Sequence, residues 1–472
     1  MTKPLPWRTL PALAAAAWLG GCSLIPTLDR PAPPVAAQWP TATPAASAQA
    51  AAAPDLGWQD FVGEPRLREL VTLALAHNRD LRVAVLNIEQ ARAVYQVRRA
   101  DQLPTVNAGL TGSRQSTSEI NGSITSTTTA GLLIPAAAAW ELDFFGRLGS
   151  LKEAALAQFL ATEEARKATQ ISLVASVAST WLSLQSNTEL LALARRTLAS
   201  REDSLRLTQL RFDNGASGAL ELRQAESLVA SARASAAQQE RLQAQDLNAL
   251  TLLVGQTVPA TLLPVAETPV VFPELPLGLP SEVLMRRPDI RQAEQLLVAA
   301  NANIGAARAA FFPRISLTAS AGSASSELGG LFKNGSWGWS LAPQALVPIF
   351  DGGRNRANLA SARAGREIAL TQYEKAIQTA FREVADALAG RSTLAEQLQA
   401  QQAQAQAESQ RLQLAELRFA NGIASSLELL DAQRSLYAVQ QQVAQTRLAQ
   451  RQNQVALYKA LGGGWQASDA KP

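Results

Sequence analysis

Hydrophobic positions along the chain follow two alternating rhythms. Residues 148–212 contain no proline and one glycine, Gly149, and apolar residues recur every seventh position at Val177, Leu184, Leu191, Leu198, Leu205 and Phe212. That spacing predicts a helix packed lengthwise against other helices. At the usual helical rise its 65 residues extend about 100 Å. A second run softens the pattern to Val384, Arg391, Leu398, Ala405, Leu412 and Phe419. Both runs end at Asn-Gly, a helix-stop signal, at Asn214-Gly215 and Asn421-Gly422. Shorter helices are predicted over about 65–100, 219–253, 281–310 and 426–461.

Between these helical stretches the period drops to two. Val106, Ala108 and Leu110 alternate with polar or small residues, as do Ile315, Leu317, Ala319 and Ala321. Leu132, Ile134, Ala136, Ala138, Trp140 and Leu142 share one face, and so do Trp337, Trp339, Leu341, Ala345, Val347 and Ile349. Two hairpins follow, at about 104–143 and 314–350, each joined by a Ser/Thr/Gly-rich loop. Strands of about ten residues are long enough to cross a bilayer. Aromatic residues near their ends, such as Trp140, Phe144, Phe145, Phe311, Phe312 and Phe350, suit interfacial girdles.

The plan is written twice. Arg211-Phe212-Asp213-Asn214-Gly215 returns as Arg418-Phe419-Ala420-Asn421-Gly422, and Gly146-Arg147 as Gly353-Arg354, both at an offset of 207. Upstream, Asp80 matches Asp289 and Pro104 matches Pro313 at an offset of 209. The organisation expected is a first repeat over 63–258, a Pro-rich linker over 259–280, a second repeat over 281–464 and a tail over 465–472. Four strands cannot close a barrel, and lipid does not tolerate open sheet edges, so several copies must contribute strands. Periodicity does not choose three copies over two or four.

The N-terminus reads as an address. Lys3 and Arg8 precede a short apolar stretch over 11–19, and Leu19-Gly20-Gly21-Cys22 resembles the lipobox of bacterial lipoproteins. The resemblance implies a signal peptide over 1–21, with diacylglycerol on the Cys22 thiol and an acyl group on its new amino terminus. Ser23 in the next position implies the outer membrane. Residues 22–62, rich in Pro, Ala and Thr, are expected to form an extended tether.

Composition removes other classes. The net charge of +4 is spread along the chain, with no concentrated basic face for nucleic acid. One cysteine and one histidine leave no set of ligands for a His/Cys metal site, although a carboxylate site for a hard cation stays open. No P-loop Lys-Ser/Thr follows Gly352-Gly353-Arg354, and His77 has no plausible catalytic partner. No enzyme activity and no cofactor beyond the covalent lipid are expected.

Several longer motifs together carry a family resemblance. They are Trp140-Glu141-Leu142-Asp143-Phe144-Phe145-Gly146-Arg147, Arg286-Arg287-Pro288-Asp289-Ile290, Phe311-Phe312-Pro313, Pro348-Ile349-Phe350-Asp351-Gly352-Gly353-Arg354 and Leu430-Asp431-Ala432-Gln433-Arg434. In these the chain resembles the outer membrane factor family of TolC-like ducts, in its NodT/OprM-like lipoprotein branch. The resemblance implies a mainly α fold with a β-barrel part: a homotrimer with a twelve-stranded transmembrane barrel continued by a periplasmic α-barrel. It implies a periplasmic adaptor and an inner-membrane transporter of the RND type as partners, and passive conduction of drugs or other small molecules. It places adaptor contacts at Asn214, Gly215, Asn421 and Gly422, and Leu427, Asp431 and Arg434 in a closed periplasmic constriction. The repeat offset puts Leu220, Gln224 and Ser227 opposite those three. Alternative readings are a duct for type I protein secretion and a structural coiled-coil envelope lipoprotein.

Overall fold

A computed structural model of the chain describes residues 23–29, 32–39, 56–117, 127–265, 270–275 and 281–463. The expected signal peptide, Cys22 and the tail over 465–472 lie outside these residues. Two compact units emerge. One comprises Met1–Ala32, Asn87–Glu163 and Gln292–Tyr373, and the other Pro33–Leu86, Glu164–Arg291 and Glu374–Pro472.

A short helix α1 (Trp58–Phe61) precedes the first series: α2 (Pro65–His77), α3 (Arg79–Ala100), β1 (Thr105–Ala108), β2 (Thr111–Thr117), β3 (Thr127–Leu142), α4 (Arg147–Asp213) and α5 (Ala219–Val254). The second series repeats the order with a 3-10 turn (Ser281–Arg286), α6 (Pro288–Ala309), β4 (Arg314–Ser325), β5 (Trp337–Leu346), α7 (Arg354–Ala420) and α8 (Ser426–Ala460). Among the described residues no helix is long and apolar enough to cross a membrane.

The first unit holds the sheet, in the order β1-β3-β4-β5 with β2 also on β3, all antiparallel. The strand expected over 104–114 is divided into β1 and β2, yet its register on β3 is unbroken: Ala108 faces Ala136 and Thr111 faces Leu133. The cause is Pro135, which has no N–H to donate, although its carbonyl still accepts from Gly109 N at 3.0 Å. On the other side Pro135 faces Gly322, where a Cβ would lie 2.3 Å from the Ile134 carbonyl oxygen, so only glycine fits. Register also brings the four alternations onto one face. Val106 stands beside Ala138, Ala138 beside Ala319 and Ala319 beside Leu341, while Trp140 pairs with Leu317 and Ala321 with Trp339. The opposite face carries Thr105, Asn107, Ser316, Thr318 and Ser320. Strands β1 and β5 end the sheet, and every residue of both is exposed.

In the second unit the two repeats solve one problem with different chemistry. The helix expected over 65–100 breaks at Asn78, and the one expected over 281–310 starts only at Pro288. Asn78 and Arg287 are equivalent by the 209 offset. Asn78 accepts from Leu81 N at 2.9 Å, an N-cap, and donates to the Leu253 carbonyl at 2.8 Å. Arg287 donates to the Ala460 carbonyl at 2.7 Å, the matching helix end, and is held by Asp289 and Glu383 at 2.7 and 2.9 Å. Its guanidinium pKa is raised: these two carboxylates outweigh the opposing effect of burial. Both helix ends turn on a positive-φ glycine, Gly255 and Gly462, and a Cβ on Gly255 would sit 2.4 Å from the His77 carbonyl oxygen.

The proline-rich segment is irregular but held down. Trp181 Nε1 donates to the Leu262 carbonyl at 3.1 Å, and Arg391 to that of Leu275 at 3.0 Å. The arginine that softens the second heptad run is thus a clasp for the linker. In the stretch over 22–62 the described residues up to 38 are exposed or half-buried without helix or strand, and single apolar side chains hold the stretch down. Trp39 is buried and stacks on Phe381 at 4.5 Å, and Phe61 stacks on Tyr458 at 3.9 Å.

Candidate functional site

The two Asn-Gly turns are built alike. At the first, Gly215 N donates to the Phe212 carbonyl and Ala216 N to that of Arg211, at 2.9 and 2.7 Å. At the second, Gly422 N donates to Phe419 O and Ile423 N to Arg418 O, at 3.0 and 2.9 Å. This is a Schellman closure in both, with φ of 71° and 72° at the glycines. Asn214 and Asn421 each cap the carbonyl four residues back at 2.7 Å. Arg211 lies over the Phe419 ring at 5.0 Å and links the two helix ends. Sequence reasoning missed the leucines on the same helix ends. Leu207 and Leu210 are exposed, and so are their 207-offset twins Leu414 and Leu417. The repeat offset itself was the signal for them.

Just beyond the turns, α5 and α8 enclose a cavity of about 220 Å³ lined by Gln224, Ser227, Leu228, Leu427, Leu430, Asp431 and Arg434. The three expected constriction residues therefore come together, and Gln224 and Ser227 face them; Leu220 does not line the cavity. Ser426 Oγ donates to Glu221 at 3.1 Å and fixes the start of α8 against α5. Asp431 accepts from Arg434, one turn on, and from Arg411 of α7, both at 2.6 Å. Arg434 pairs with Asp431 inside one helix rather than across an interface, and Arg411 is a second partner that sequence spacing gave no reason to single out. Hydrogen bonds from Arg411 and then Arg434 hold the Asp431 carboxyl below the usual aspartate range. Leu427 is exposed in the single chain.

In the first unit the strand-to-helix corners are tied by carboxylates. Glu141 takes two hydrogen bonds from Arg147 at 2.8 Å each and an ion pair from Arg314. Asp143 accepts from Gly149 N at 2.6 Å, and Asp351 from Gly353 N and Asn355 N at 2.9 and 2.8 Å. The backbone N–H groups of Asn355 and Gly353 lower the Asp351 pKa. Phe145 and Phe312 stack across the two corners at 4.8 Å. Among the described residues no three His, Cys, Asp or Glu side chains converge as a metal site would require.

Comparison with known proteins places this geometry. The sequence profile of the outer membrane efflux protein family matches residues 70–256 and again 279–463. The chain is 47% identical over 468 residues to the antibiotic efflux pump outer membrane protein ArpC of Pseudomonas putida, covering 97% of this chain and 96% of that protein. It has the same identity and coverage with the toluene efflux pump outer membrane protein TtgC of Pseudomonas putida. The crystal structure of the open state of the Neisseria gonorrhoeae MtrE outer membrane channel superposes with a TM-score of 0.83 at 39% identity, covering 94% of this chain and 98% of that one. The chain belongs to the outer membrane efflux protein family, with the fold of the TolC-like ducts, and is an outer-membrane channel of an efflux pump that extends into the periplasm.

Proposed function

We propose that three copies close their sheets into one twelve-stranded barrel and act as the passive exit duct of a tripartite pump. The observation that carries this reading is the sheet itself. Among the described residues its two outer strands are paired on one side only, and its register gathers the apolar alternations on one face, as a lipid-facing wall needs. Closure between copies satisfies the edges that lipid would leave bare. No catalytic step is assigned to the chain.

The anchor in this reading is Cys22, acylated after removal of residues 1–21. The paired tips at Asn214-Gly215 and Asn421-Gly422, with Leu207, Leu210, Leu414 and Leu417 beside them, receive a periplasmic adaptor that joins an RND-type inner-membrane transporter. Leu427, Asp431 and Arg434, with Arg411, form the resting closure near those tips. The cargo is a drug, a solvent or a similar small molecule. Relatives matching this chain to the same extent carry antibiotic and toluene names, which supports a cargo choice made in the transporter.

Native mass measurement in detergent, followed by planar-bilayer recording, tests the duct. Three copies with ion conductance are expected. A stable monomer overturns the barrel argument, and a non-conducting oligomer overturns the duct. For the anchor, Cys22→Ser is expected to abolish palmitate labelling, and labelling that persists overturns it.

A further inference from the structure

Residues 23–26, directly after the lipobox cysteine, are clamped onto α6. Arg308 donates to the Leu24 carbonyl at 3.2 Å and Asn301 to that of Pro26 at 2.8 Å. Ile25 packs against Gly305, where a Cβ would lie 2.5 Å from Ile25 Cγ1 and 2.7 Å from Ser150 Oγ. A side chain on that residue would therefore evict the segment. Ser23 in turn lines an open cavity of about 680 Å³ whose other walls include the apolar Trp140, Phe144 and Leu156 and the charged Glu141, Asp143, Lys152 and Glu153. That volume is in the range of clefts that take a sizeable ligand. Ser23 is the next residue in the chain after Cys22.

We propose that this cavity is the seat of the acyl-glyceryl group on Cys22, so that the anchor is held against the protein at a defined place instead of floating in the leaflet. The inference rests on the lipidation reading above. The occupant is the chain's own lipid because the docked segment delivers it there. A tethered group presents itself at an effective concentration in the millimolar range for a short link, without a separate binding event. Trp140 and Phe144 offer apolar contact to a chain, and the Lys152 ammonium suits the ester oxygens of the glyceryl group.

The test uses the full chain from cells fed a diazirine-bearing fatty acid, irradiated in the outer membrane, digested and analysed by mass spectrometry. The expected product is the Cys22 peptide joined through its acyl chain to a peptide from 140–156. Gly305→Leu, and the milder Leu156→Glu, keep the full lipid mass on Cys22 and reduce the joined product to background. Normal lipid mass with joined peptides only elsewhere overturns the proposal, as do phospholipid adducts in place of the Cys22 peptide at 140–156. Absence of lipid on Cys22 overturns the lipidation reading, and the proposal with it.

Discussion

Arg287→Ala removes a side chain that is 6% exposed and that holds Asp289, Glu383 and the Ala460 carbonyl together. Losing one partner of a buried ion pair costs about 3–5 kcal/mol. Asp289 and Glu383 are 41% and 36% exposed, so water recovers part of that loss. About 3 kcal/mol is the expected cost, near the low end of the range for buried pairs. The duplication supplies its own control. Asn78 does the same backbone work with a neutral amide, and Asn78→Ala loses one N-cap and one carbonyl partner, together about 1–2 kcal/mol. Arg287→Lys retains the charge without the forked geometry and should fall between. The assay is urea unfolding of the detergent-solubilised protein, followed by far-UV circular dichroism and compared at equal slope. If Arg287→Ala shifts the midpoint no further than Asn78→Ala, the ion pairs add nothing to the backbone contact and the reasoning fails.

At the constriction, Leu427→Ala with Asp431→Ala should raise resting bilayer conductance several-fold and sensitise cells to large antibiotics such as vancomycin. Normally assembled oligomers that conduct like the parent would remove these residues from the gate. Because its arginine partners lower the Asp431 pKa, its pairs are complete above the unperturbed value of about 3.9 and are lost as pH falls through the lowered one. Conductance of the parent should therefore rise only at strongly acid pH, and Asp431→Ala should erase that rise; an unchanged acid response in the variant refutes the assignment. Valine at both Gly215 and Gly422 strains turns whose φ is near +71°, by about 1–2 kcal/mol each. It should weaken adaptor capture while oligomers stay intact, and undiminished pump activity would count against docking there. Gly322→Val should disrupt the pairing of β3 with β4 and abolish the assembled band on native gels, whereas full assembly would show that the close approach at Pro135 is dispensable.

Much of the architecture was legible because it depends on local period. The proline-free heptad run predicted 148–212 as helix, and α4 spans Arg147–Asp213. The alternation of Ile315, Leu317, Ala319 and Ala321 predicted a strand, and β4 contains them. The break at Asn78 was not legible. Residues 65–100 carry no proline to mark it other than Pro65 at the start, and the Asn78 amide that caps α3 is held by the Leu253 carbonyl, 175 residues away. Likewise the clasp of Arg391 looked like a defect in a heptad until Leu275 was placed beside it.

The sequence by itself determined where most of the helix and strand lies, where the two long helices stop and that the plan runs twice, since side-chain spacing and Asn-Gly chemistry act within a few residues. Only the tertiary structure decided that four separate alternations share one face, because strand register is set by pairing between distant segments. It also decided that Asp431 is held by Arg411, 20 residues earlier, as well as by Arg434 in its own helix. A local pattern names the face on which a charge sits; the packing of α7 against α8 selects which charge meets it.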